Sequence, residues 1–321
     1  MRHDTGGHDR YVNVPSNPDV DTGCAVVIDG AGNDLYLSDA ALESTGLAEW
    51  AGRKSGGNLP GPAGALLGYT MLIDNQGDDL YRTHRAGLGC GRYGVSVVLD
   101  KAGNDRYDAY QNSEGYGEFG VGILEDLAGN DRYDCFTQSQ GYGFVKGSGA
   151  LIDRGGDDLY MANDTVIDFP AAQSDKHNNS MAQGVGNGYR RDYIDVHSLA
   201  GGVGLLFDQA GNDTYSSAIF GQGVGYWEGV GMLWDASGSD SYSGQWYVQG
   251  ACAHFAVGYL EDVEGDETAA AKDEKARTPS ARFAMKISEA ITLGQKMIEP
   301  STVEVAVLAM LLDAQRLLGG K

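Results

Sequence analysis

The phrase Asp-x-x-Gly-x-Asp-x-Tyr occurs eight times in this chain of 321 residues. It starts at Asp4, Asp29, Asp74, Asp100, Asp126, Asp153, Asp208 and Asp235, with Asn, Asp, Ser or His between the Gly and the second Asp. A decayed ninth copy follows at Asp262, where Gly265, Asp266 and Glu267 remain and the Tyr is lost. Uninterrupted copies are spaced 26, 26 and 27 residues from Asp74 to Asp153, then 27 and 27 from Asp208 to Asp262. A fixed period in the twenties marks a repeat architecture, in which each unit buries its apolar face only against its neighbours.

The residues around the phrase repeat as well. From Asp29 onward, two positions before each leading Asp stands an aliphatic residue: Val27, Leu72, Val98, Leu124, Leu151, Leu206, Leu233, Leu260. Two positions earlier the residue is small: Ala25, Thr70, Ser96, Gly122, Gly149, Gly204, Gly231, Gly258. Residues two apart on a strand share a face, so this strand turns an aliphatic stripe and a small stripe inward. The x-x-Gly-Asn segment reads as a turn, its Gly expected at positive φ. Asp-x-Tyr opens a second strand, with a variable residue such as Arg106 or Arg132 facing out and the recurrent Tyr forming a stacked core ladder. A Gln-Gly-x-Gly element, as at Gln140–Gly143, Gln183–Gly186 and Gln222–Gly225, supplies a further tight corner.

The expected fold is all-β: a parallel β-solenoid of about nine coils over residues 1–268. Insertions near 40–62 and 161–198 leave it, the first with a short helix at Ala40–Trp50. Beyond Thr268 the pattern turns helical, from Thr278-Pro279-Ser280 to Pro300 and from Ser301 to Leu318. Residues 269–321 are expected to be a helical cap or the start of a following region. A string of antiparallel hairpins closed into an outer-membrane barrel is the alternative topology. The first phrase begins at Asp4, so the chain is expected to start part-way through a repeat of a longer protein, with any export signal upstream.

The formal net charge of −22 excludes nonspecific nucleic-acid binding, which needs cations against phosphates, and opposes an anionic membrane surface. The four Cys (Cys24, Cys90, Cys135, Cys252) are widely spaced and read as buried free thiols rather than a disulfide framework.

Carboxylates and amide carbonyls are hard oxygen donors of the kind Ca²⁺ prefers. In a parallel stack each Asp lies about 4.8 Å from its copy in the next coil. Such carboxylates repel unless screened by water, held by backbone N–H groups or bridged by cations. The candidate ligands fall into three rows. The leading row is Asp29, Asp74, Asp100, Asp126, Asp153, Asp208 and Asp235. The middle row is Asn33, Asp78, Asn104, Asn130, Asp157 and Asn212. The second-Asp row is Asp34, Asp79, Asp105, Asp131, Asp158, Asp213 and Asp240. Asp and Asn in turns also hold backbone N–H groups with no metal. Gly155-Gly156-Asp157-Asp158-Leu159-Tyr160 and Ala102-Gly103-Asn104-Asp105 resemble fragments of the RTX, or haemolysin-type, glycine-rich repeats, although the period here is about three times longer. That resemblance implies a parallel β-roll with Ca²⁺ in its turns.

The functional expectation is an exported or cell-surface structural and binding module with a protein or carbohydrate partner, stabilised by Ca²⁺. Its rival is a polysaccharide lyase or hydrolase working from the insert loops. Candidates for that chemistry are Arg82, His84, Arg85 and Arg92, and in the long insert His177, Arg190, Arg191, Asp192, Asp195 and His197.

Overall fold

Alternating small and aliphatic residues before each leading Asp build a strand, and the period sets those strands side by side. The computed structural model describes residues 1–17, 23–38, 60–265 and 268–271. In it Arg2–His3, Cys24–Ile28, Gly68–Ile73, Gly94–Asp100, Val121–Asp126, Ser148–Asp153, Val203–Asp208, Val230–Asp235 and Val257–Asp262 form one nine-stranded sheet. Its pairing is parallel and follows the repeat, with Asp100 opposite Asp126, Asp126 opposite Asp153 and Asp153 opposite Asp208. The Asp-x-Tyr segments form a second nine-stranded parallel sheet, with Tyr107 opposite Tyr133 and Tyr133 opposite Tyr160. The Gly-x-Gly segments form a third sheet of eight short strands, with Gly117 opposite Gly143 and Gly143 opposite Gly186. One coil is therefore three parallel strands and three turns, and nine coils make a β-solenoid. Parallel pairing in all three sheets rules out the barrel of hairpins. The described residues contain no helix.

The interior holds two apolar rows. Tyr11, Tyr36, Tyr81, Tyr107, Tyr133, Tyr160, Tyr215 and Tyr242 are buried and pack with Val27, Leu72, Val98, Leu124, Leu151, Leu206 and Leu233. Adjacent Tyr rings lie 4.7 to 4.9 Å apart and within 6° of parallel. The small stripe exists because the third corner crosses it closely. A Cβ on Gly122 would stand 2.0 Å from the Tyr116 carbonyl oxygen, and one on Gly149 would stand 2.2 Å from that of Tyr142.

The glycine of the phrase meets expectation only in part: Gly7, Gly32, Gly238 and Gly265 have positive φ, from 144° to 158°. Gly77, Gly103, Gly129, Gly156 and Gly211 lie outside the left-handed region, and steric contact is what requires them. A Cβ on Gly103 would sit 1.6 Å from the carbonyl oxygen of Gly77 in the coil below. Left-handed backbone recurs at the Gln-Gly corner, where Gln140 and Gly141 have φ of 55° and 76° and Gln183 and Gly184 have 66° and 74°.

The long insert leaves the coil twice. A hairpin of Pro170–Ala171 and Ser174–Ala182 departs first and joins Ile219–Gly221 and Trp246–Val248 in a small sheet. A loop pinned by the Tyr189–Leu199 bridge departs second. Between them Gly186–Asn187 keeps its place in the third sheet. Residues 39–59, with the expected helix at Ala40–Trp50, lie outside the described residues, as do Asp266, Glu267 and the expected helical segments after residue 271. Cys90 and Cys135 are buried free thiols as expected, but Cys24 and Cys252 are exposed.

Candidate functional site

The leading Asp residues end their strands pointing inward, and Asp29, Asp74, Asp100, Asp126, Asp153, Asp208 and Asp235 are all 0% exposed. Asp74, Asp100, Asp126, Asp153 and Asp208 are each tied down twice, whereas Asp29 and Asp235 keep a buried Oδ1 without a donor. In the former, Oδ1 accepts the backbone N–H two residues on, as from Ala102 to Asp100 at 3.1 Å and from Gly155 to Asp153 at 2.9 Å. Each Oδ2 accepts the hydroxyl of the Tyr one coil earlier, as Tyr107 donates to Asp126, Tyr133 to Asp153 and Tyr215 to Asp235, each at 2.7 Å. The stacked Tyr column thus doubles as a column of donors that links every coil to the next.

The second Asp of each phrase opens the second sheet and also turns inward. Its Oδ1 accepts the backbone N–H of the second Asp one coil earlier: Asp34 to Asp79, Asp79 to Asp105, Asp105 to Asp131, Asp131 to Asp158, Asp158 to Asp213 and Asp213 to Asp240, at 2.6 to 2.7 Å. The other oxygen has no such donor. Oδ2 of Asp34, Asp79, Asp105, Asp131, Asp158 and Asp213 is buried and receives no hydrogen bond.

These two rows meet in trios. Asp79, Asp100 and Asp105 bring carboxylate oxygens within 4.8 Å of one another, as do Asp105, Asp126 and Asp131, and then Asp131, Asp153 and Asp158. Seven such trios occur among the described residues, the first including Asp9. Burial, and then the neighbouring carboxylates, push these groups out of the ordinary range. Asp79, Asp131 and Asp213 rise to about 8, Asp158 to about 9 and Asp105 to about 11. Asp126 and Asp208 are raised for the same two reasons. A column with every carboxylate ionised and nothing between them is unfavourable in a low-dielectric interior, so it needs a positive charge or a proton in each coil.

The middle row does not enter this column. Asn33, Asp78, Asn104, Asn130, Asp157 and Asn212 lie at the turn tip and form their own ladder, each side chain accepting the backbone N–H of the next coil. Asp78 accepts from Asn104 at 2.8 Å, and Asn130 from Asp157 at 2.9 Å. The expected ligand set therefore divides into an interior part of two Asp per coil and an exposed capping part.

The expected catalytic side chains do not converge. Arg82 is buried against Asp108, Arg92 pairs with Glu118, and His177 pairs with Asp164. Arg191 pairs with Asp195, and the His197 side chain is 84% exposed. Arg190 pairs with Asp192, donates to Tyr226 and meets His254 at 2.8 Å, its guanidinium over the Trp227 ring. Sequence reasoning missed the Tyr-to-Asp bonds between coils and a buried acid, Glu114, in the Gln row. There Gln140, Gln183 and Gln222 donate to the carbonyls of Tyr133, Tyr160 and Tyr215, while neither oxygen of Glu114 has a partner. The alignment of Glu114 with those Gln residues was the available signal.

Fold and site together define an acidic β-solenoid threaded by an internal column of carboxylates. No family model, curated protein or solved structure matches the chain.

Proposed function

We propose that the chain is a structural and binding repeat module whose solenoid is stapled from inside by calcium, and that it works outside the cell or on its surface. One observation carries this reading: each trio contains a buried carboxylate oxygen that nothing in the protein satisfies. The chemistry fits a hard dication. The donors are all carboxylate oxygens, and they lie close enough together, within 4.8 Å of one another, for one ion to touch all three. Charge also balances, because two interior carboxylates per coil match one dication. Millimolar calcium outside cells is sufficient for modules of modest affinity. The face for a protein or carbohydrate partner is the insert loop, where the rings of Tyr189 and Tyr193 stand exposed beside Arg190 and Arg191.

A second reading has its own observation. Asp105 faces Asp100 and Asp158 faces Asp153, each in a geometry that one shared proton would turn into a hydrogen bond. Melting the chain at pH 7.5 in chelator and in millimolar CaCl₂ separates the two. Calcium at 100 times its Kd stabilises by about 2.7 kcal/mol per site, so calcium stapling predicts a rise in Tm of many degrees. Equal melting with and without calcium leaves the shared proton.

A further inference from the structure

We propose that the trios form one continuous array, in which each second-position Asp is a ligand shared by two consecutive cations; this rests on the calcium reading above. Membership of the trios carries the inference. Asp79 belongs with Asp34 and Asp74 and again with Asp100 and Asp105. Asp105 and Asp131 are likewise counted twice, whereas Asp100 and Asp126 each belong to a single trio.

The hydrogen bonds assign the same roles independently. Both oxygens of leading Asp126 are engaged, by the Ala128 N–H and the Tyr107 hydroxyl. Asp131 uses Oδ1 for the Asp105 N–H and keeps Oδ2 buried without a donor, although the residue is only 2% exposed. From Asp74 to Asp208 the spare coordinating capacity therefore sits on the residue that two trios share, and only near the ends of the column do leading residues, Asp29 and Asp235, also keep an oxygen without a donor. Leading Asp residues wall one site each, and second Asp residues bridge. Removing a wall empties one site, and removing a bridge empties two. Because each ion orders the bridge that its neighbour needs, filling propagates along the coils in the nearest-neighbour manner of repeat proteins.

The test counts metal in the full chain. Protein dialysed to equilibrium against millimolar CaCl₂ is assayed by inductively coupled plasma mass spectrometry, the calcium of the dialysate being subtracted, with circular dichroism confirming the fold. Wild type is expected to hold seven calcium ions, Asp126→Asn six and Asp131→Asn five. Asparagine keeps an acceptor for the Asp105 N–H while losing the charge. Loss of one ion from both variants overturns sharing and leaves calcium binding standing. A wild type with no calcium overturns calcium binding itself. Should Asp131→Asn fail to fold, a calcium titration of the wild type decides: a Hill coefficient well above one supports the array, and one at or below unity overturns it.

Discussion

Tyr133→Phe isolates the bond that ties one coil to the next. Tyr133 is fully buried, its ring stacked on Tyr107 at 4.8 Å and on Tyr160 at 4.9 Å, and its hydroxyl donates to Asp153 Oδ2 at 2.7 Å. Phenylalanine preserves both stacks and the volume, so the change removes one hydrogen bond and leaves a buried carboxylate oxygen without its donor. A hydrogen bond to a charged group contributes about 1.5–3 kcal/mol, and burial on both sides places this one near the upper end. At about 2–4 °C per kcal/mol for a domain of this size, Tm should fall by roughly 4–10 °C. Thermal unfolding followed by far-ultraviolet circular dichroism, in calcium throughout, measures it, with urea unfolding giving the free-energy change. Tyr93→Phe serves as control because Tyr93 is 55% exposed, and it should change stability by less than about 0.5 kcal/mol. A double-mutant cycle with Asp153→Asn should return a coupling above about 1 kcal/mol. If Tyr133→Phe behaves like Tyr93→Phe, the hydroxyl does not link the coils.

Three further outcomes follow from the same geometry. Glu114→Gln should stabilise the chain by about 1–3 kcal/mol, because Gln is the residue whose amide satisfies this position in other coils. Burial raises the Glu114 pKa, so the wild-type residue favours folding at low pH and loses that contribution as pH rises; the gain should widen between pH 5 and 8 in paired urea titrations, and a loss of stability would refute the assignment. The metal-free column should behave likewise. Asp79, Asp131 and Asp213 are raised to about 8 and Asp158 to about 9, above their unfolded values, so calorimetry in chelator should show Tm falling from pH 5 to pH 9, and a flat profile would contradict this. Gly103→Ala places a Cβ 1.6 Å from the Gly77 carbonyl and should cost about 1–3 kcal/mol or more, and a neutral result in the same unfolding assay would show that the turns do not stack this closely.

Much of the fold could be read before the structure because a strict period leaves few solutions. Val98 and Leu124 two places before their Asp, with Ser96 and Gly122 two places before those, define an inward face by alternation alone. Gln183-Gly184-Val185-Gly186 likewise marked a corner inside the long insert, and there the chain does return to the coil. What could not be read depends on distances between coils. Alternation puts Asp105 and Tyr107 on one face, but the Tyr107 hydroxyl reaches Asp126 of the following coil, which depends on side-chain length and coil rise. The same holds for the turn glycine, where Gly103 answers to the Gly77 carbonyl rather than to its own dihedral angles. Asn104 and Asp105 are neighbours in the sequence and look like equal ligands, yet one caps the exposed tip and the other enters the column.

The most direct test of the account is anomalous diffraction from crystals grown in calcium, with data collected at long wavelength. The account predicts a single file of peaks inside the solenoid, one in each Asp trio and about 4.8 Å apart. An interior without peaks, or peaks only along the exposed Asn104 and Asn130 ladder, would contradict it.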